Sequence, residues 1–165
     1  MKPNWLKLAA AAGLFLFYLQ WFRDGNYYSF LDFVNLAFHE AGHVFTAPFG
    51  RFVNFSGGTL FQITIPALCA FYFYREGNRF GYALCVFWTG ENFLNVGIYV
   101  KDAVRQALPL VGGGEHDWTY LLELFGLLGR CETVGKLIFF AGSLIVFYSL
   151  FLVVKDALRE PAASN

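Results

Sequence analysis

The sequence predicts an all-α integral membrane protein, and three observations carry that prediction. Of its 165 residues, 57% are hydrophobic and 21% aromatic, while only 15% are charged; a typical soluble chain carries about 25%. A soluble domain of this size needs polar side chains to cover its surface, and this chain lacks the supply. The apolar residues also fall into runs close to the ~20 residues that a helix needs to cross a bilayer. Short polar clusters punctuate those runs: Arg23-Asp24-Gly25-Asn26, Arg75-Glu76-Gly77-Asn78-Arg79 and Gly112-Gly113-Gly114. The expected architecture is one polytopic domain over residues 1–165. It has about five to six transmembrane helices and a short re-entrant β-hairpin or loop after the second.

The elements follow in order. Lys2 and Lys7 lead into the apolar stretch 6–19, which looks like the start of a secretory signal. No small-x-small cleavage site follows, so 5–22 is expected to stay as a first membrane helix, with Trp5 and Trp21 at its interfaces. Further spans are expected at 28–49, 60–74, 80–100 and 133–154, with an apolar piece at 118–129 too short to cross alone. Between the second and third spans lies Phe52-Val53-Asn54-Phe55-Ser56-Gly57-Gly58-Thr59-Leu60. Two glycines beside β-formers predict an extended hairpin or bend there. At membrane depth, irregular backbone is tolerated only where protein buries it or water fills a cavity, so this stretch is a candidate wall of a site. The polar tail 159–165 is expected to be loose. Basic residues occur at both ends and in most loops, leaving only a slight preference for a cytoplasmic N-terminus.

Composition excludes several functions. Twelve basic and twelve acidic residues cancel, so no global field draws in nucleic acid. The three cysteines, Cys69, Cys85 and Cys131, are expected to be free thiols, and no CxxC or Cys/His cluster offers a thiolate zinc site.

The residues that carry chemistry begin at His39-Glu40-Ala41-Gly42-His43. Histidines four apart share one face of a helix and can bind one metal ion, with Glu40 near enough to act on its water. The pattern suits zinc, which lowers the pKa of its water to about 7 so that an adjacent carboxylate can take the proton. With three His and seven Glu in the chain, chance alone yields such a motif about two times in a thousand. The motif lies on a polar stripe, Asp32, Asn35, His39, His43 and Thr46, in an otherwise oily span. Ionisable residues at such depth are expensive and are functional candidates by default. Asp32 and Asn35 are candidate outer partners that orient a histidine. The competing reading is a pair of core histidines bonded to backbone carbonyls.

A catalytic zinc usually has three protein ligands and one open position. Four residues are candidates for the third: Glu91, Asp102, His116 and Asp117. Glu91, Asn95, Ile98 and Asp102 form a second polar stripe on 80–100, with Tyr99 alongside. It reads either as a polar seam joining two helices, or as Asn95 against a substrate backbone with Glu91 or Asp102 outside the ligands. The Gly112–Gly114 run delivers His116 and Asp117 to the start of the short segment 118–129. Asp117 there reads equally as a helix N-cap before Trp118.

These residues resemble the site-2 protease class of intramembrane zinc metalloproteases. His39-Glu40-Ala41-Gly42-His43 matches its first element, and Phe55-Ser56-Gly57-Gly58-Thr59 looks like its glycine-containing hairpin. Leu108-Pro109-Leu110 through Asp117-Trp118 looks like a diverged form of its third, without Leu-Asp-Gly and without the Asn-x-x-Pro spacing. The resemblance covers about residues 28–130, flanked by helices 5–22 and 133–154. It implies Zn2+ held by His39, His43 and Asp117, with His116 the nearest alternative. Glu40 is then the general base, and Gly57, Gly58 and Asn95 line the path of a membrane-embedded peptide substrate that pairs with 52–61. No accessory domain is present, so the chain looks like a minimal multi-pass member in a bacterial cytoplasmic membrane. The same ligands also suit a membrane hydrolase of lipid amides, and a non-catalytic scaffold is a further alternative. The sequence is silent on oligomeric state.

Overall fold

A computed structural model describes residues 3–24, 27–108 and 114–159, and every described element is helical. The helices are α1 (Trp5–Arg23), α2 (Phe30–Thr46), α3 (Arg51–Arg75), α4 (Arg79–Lys101), α5 (Asp117–Leu124) and α6 (Cys131–Ala157). Short 3₁₀ turns occupy Ala47–Phe49 and Leu128–Arg130. Residues 109–113 and the tail from Glu160 lie outside the described residues, and with them most of the Gly112–Gly114 run expected to deliver His116 and Asp117.

Polar residues set most of the boundaries. The Asn4 side chain accepts from the Lys7 N–H and starts α1, and Asn78 does the same for α4 through Gly81. At α2 the Ser29 N–H donates to the Asp32 carboxylate, one half of a capping box. Gly50, at φ +90°, makes the sharp turn between α2 and α3, a conformation that side-chain-bearing residues rarely adopt.

The segment expected as a hairpin is the main correction. Residues 52–60 belong to α3, which runs unbroken for 25 residues. The glycines serve packing instead of a turn. A Cβ on Gly42 would overlap the Gly57 carbonyl, and one on Gly58 would sit 2.6 Å from both His39 Nε2 and His43 Nε2. Only side-chain-free positions let α2 and α3 approach this closely, and the contact outweighs the helix penalty of about 1 kcal/mol per glycine. The two helices are antiparallel, as the pairs Gly42–Gly57 and His39–Gln62 show.

Helices α4 and α6 pack by the same device. A Cβ on Gly90 would meet the Gly142 carbonyl at 3.0 Å, and one on Gly97 the Gly135 carbonyl at 2.8 Å, which sets the pair antiparallel. Helix α1 lies along α6 with Tyr18 and Trp21 in a core with Phe87, Leu94 and Val146. Its N-terminus is tied to the end of α6 by the Asn4 N–H on the Ala157 carbonyl and by the Lys7–Asp156 ion pair. A second core beneath α5 gathers Val96, Val100, Ala103, Leu122 and Cys131.

Among the described residues, three helical stretches are long and apolar enough to cross a membrane: Trp5–Arg23, Arg51–Arg75 and Leu128–Ala157. Helix α2, of 17 residues, and α4, which buries Glu91 and Asn92, are not among them. The distribution of polarity is inverted relative to a soluble protein. Leu16, Phe71, Leu144 and Phe151 are exposed, while Asp32, Asn35, His39, Gln62, Glu91 and Asn92 are buried. Such an outside suits hydrocarbon, and such an inside must satisfy itself.

Candidate metal centre

The site assembles where α5 starts against the α2–α3 pair. On α2, His39 and His43 are one turn apart, and both Nε2 atoms point at Asp117 Oδ2, at 2.8 and 3.3 Å. The ligand atoms of His39, His43 and Asp117 all lie within 4.8 Å of one another. Asp117 is the first residue of α5, brought there by the His116 N-cap and by Trp118 Nε1, which donates to Thr59 Oγ1 on α3.

Each histidine is turned by its other nitrogen. His43 Nδ1 lies 2.9 Å from the Asn54 backbone carbonyl, which only accepts, so the proton sits on Nδ1. His39 Nδ1 faces Gln62 Oε1 at 3.1 Å. Both Nε2 lone pairs therefore converge on a carboxylate. Three acceptors this close repel unless a cation lies between them. Burial pushes the Asp117 carboxyl up, but its close contacts with His39 and His43 outweigh it and hold the group below its ordinary value. A metal ion fits the same place, since two imidazoles and one carboxylate form a normal zinc donor set with a fourth position open. The residues present fit zinc.

Tyr99 braces the carboxylate. Its hydroxyl lies 3.4 Å from both the Asp117 N–H and Asp117 Oδ2, and its ring packs edge-on to His39. Beside this cluster is an open cavity of about 220 Å³, lined by His39, Glu40, His43, Asn54, Tyr99 and Asp117 among others. Glu40 thus shares a cavity with all three ligand candidates. Phe55 and Glu115 also line it, and Glu115 pairs with Arg51 in the open, where the bond adds little stability.

Other expected residues lie elsewhere. His116, buried beside Asp117, is spent differently: Nδ1 accepts from the Thr119 N–H, and Nε2 points toward Asp102 at 3.8 Å. Burial lowers its pKa, and its ring packs at a tilt against Tyr99, 4.2 Å between centroids. Asp102 accepts from the Ala107 and Leu108 N–H groups at 3.0 and 2.9 Å, closing the turn after α4 and bordering a separate cavity of about 400 Å³. Glu91 and Asn35 bond each other at 2.8 Å, and Asn35 also accepts from Trp88 and Asn92. That network ties α2 to α4, the polar-seam reading, and does not reach the histidines. Asn95 is inside the α2–α3–α4 contact and is not among the cavity-lining residues, and Gly57 and Gly58 face α2.

Gln62 and Asn54 join the site without having been singled out by sequence pattern. Gln62 is the one amide in the apolar run Leu60–Tyr74, and the rule that isolated polar groups in apolar helices are functional candidates applies to it as much as to His39. Asn54 acts through its backbone carbonyl, which no side-chain pattern reveals. A scan against protein-family models, a comparison with curated proteins and a comparison with solved structures each find no match for this chain.

Proposed function

We propose that the chain is a multi-pass, zinc-dependent intramembrane endopeptidase that hydrolyses peptide bonds of membrane-embedded substrates. The carrying observation is the meeting of His39, His43 and Asp117 at one point, with Glu40 on the same cavity. When bound, zinc supplies Lewis acidity, polarising a carbonyl and making water a nucleophile near neutral pH. His39, His43 and Asp117 would hold it. Glu40 takes a proton from the attacking water and returns it to the amine that leaves, so no net proton is consumed in breaking the C–N bond. Tyr99 holds Asp117 in register. Helices α1, α2, α3, α4 and α6 are the spans of this reading, with α5 too short to cross, in a bacterial cytoplasmic membrane.

One observation favours a second substrate class. With residues 51–75 helical, the described residues offer no strand edge to pair with an extended peptide, so a lipid amide is the alternative substrate at the same centre. Both readings share a test. Glu40→Gln is expected to retain zinc and to lower hydrolysis by about 10²–10⁴-fold, assayed on a single-pass helix in lipid discs and, in parallel, on an N-acyl lipid. Hydrolysis undiminished in Glu40→Gln overturns the mechanism, and the substrate that is turned over decides between the classes.

A further inference from the structure

The two histidines rest on different kinds of acceptor. His43 faces a backbone carbonyl, whose direction is fixed. His39 faces the side-chain amide of Gln62, which presents oxygen or NH2 depending on how it is turned. What turns it lies further along. Gln62 Nε2 donates to Asn95 Oδ1 at 2.7 Å, and Asn95 Nδ2 donates to Asp32 Oδ1 at 2.6 Å. The row ends at Asp32, 2% exposed, whose other oxygen takes the Ser29 N–H. A backbone N–H cannot be reversed, and a carboxylate only accepts. Every bond in the row therefore points one way. It leaves α2 at Asp32, passes through α4 and α3, and returns to α2 at His39.

We propose that Asp32 is the positioning residue for His39, acting through Asn95 and Gln62 to keep the proton on Nδ1 and the Nε2 lone pair on the metal position. The inference rests on the metal-centre reading above. It assigns Asp32 a definite task two turns away on its own helix, and it makes the two intervening amides the means. Outer partners that orient a ligating histidine commonly change metal affinity or activity by 10–100-fold when removed.

The direction of the row makes a sharp test. In Asp32→Asn, the new amide must turn its oxygen to the Ser29 N–H and its NH2 to Asn95. Asn95 and Gln62 then flip in sequence, and an NH2 faces His39 Nδ1, driving the proton to Nε2. Adding Gln62→Glu restores the row. The amide introduced at position 32 donates its NH2 to the Asn95 oxygen. Asn95 NH2 then meets one oxygen of the carboxylate introduced at position 62, and the other oxygen accepts from His39 Nδ1. Only the place of the carboxylate has moved.

The full chain, ¹⁵N-labelled at histidine and held in lipid discs, is read twice. Imidazole ¹⁵N shifts are measured without metal, and affinity for zinc alone is measured by chelator competition. Asp32→Asn is expected to move His39 from the Nδ1–H to the Nε2–H tautomer and to weaken zinc by about 10–100-fold. The double variant is expected to recover the Nδ1–H tautomer and to bind zinc within about threefold of the unaltered chain, a coupling that independent defects do not show. An unchanged tautomer and affinity in Asp32→Asn overturns the proposal, as does a double variant whose losses multiply. The tautomer is read in zinc-free protein, so it reports on Asp32 even where no amide is hydrolysed.

Discussion

At the scale of single residues, the account turns on side chains that leave each other room. His39 and His43 were legible from sequence because their spacing is a statement about helix geometry, and two such rings on one face of an otherwise apolar helix have few other uses. Asp117 is one of four candidates by residue pattern, and only the resemblance singles it out. What separates it from His116, its neighbour, is that His116 accepts from the Thr119 N–H through Nδ1 and turns Nε2 toward Asp102 at 3.8 Å, away from His39 and His43, a fact of tertiary placement. Gly58 carries the opposite lesson. Its sequence context suggested a bend, whereas its role is to be absent: a Cβ there would press on both imidazoles. Gly58→Ala is expected to lower zinc affinity by about 10-fold or more. Gly13→Ala, with nothing within 4 Å of the added carbon, is expected to leave it unchanged and to stabilise α1 by about 0.5–1 kcal/mol. Equal zinc titrations for the two variants count against this role for Gly58.

At the scale of elements, hydrophobic length located the helices well, because the cost of unpaired backbone in hydrocarbon leaves helix as the only cheap answer. The spans read at 5–22, 80–100 and 133–154 lie within a few residues of α1, α4 and α6. The failure at 52–60 has a physical cause. Gly57, Gly58 and Ser56 weaken a helix locally, and only a partner helix that requires smooth contact turns that weakness into an advantage. The α4–α6 seam uses the same exchange at Gly90, Gly97, Gly135 and Gly142. Gly142→Leu, placing bulk against the Gly90 carbonyl and Phe93, is expected to destabilise the fold by about 1–3 kcal/mol, as overpacked cores do. Thermal unfolding in detergent measures it, and a melting temperature equal to that of the unaltered chain contradicts the seam as described.

At the scale of the whole molecule, the chain is organised inside out: apolar helix faces outward, and two separate polar networks inside, among the described residues. One network, Asn35 with Glu91, Trp88 and Asn92, joins helices and stops there. The other, from Asp32 through Asn95 and Gln62, ends at His39 and so connects packing to chemistry. Sequence stripes announced that both networks exist, since polar residues recur at helical spacing on α2 and α4. They could not say which network leads to the histidine pair, because that depends on how three helices cross. The central claim is the centre itself, and zinc content measures it most directly. Elemental analysis of the chain, purified without chelator, is expected to find about one zinc per chain, falling toward zero in His39→Ala, His43→Ala and Asp117→Ala. A chain that carries no zinc, or one whose zinc survives the loss of these three side chains, contradicts the account.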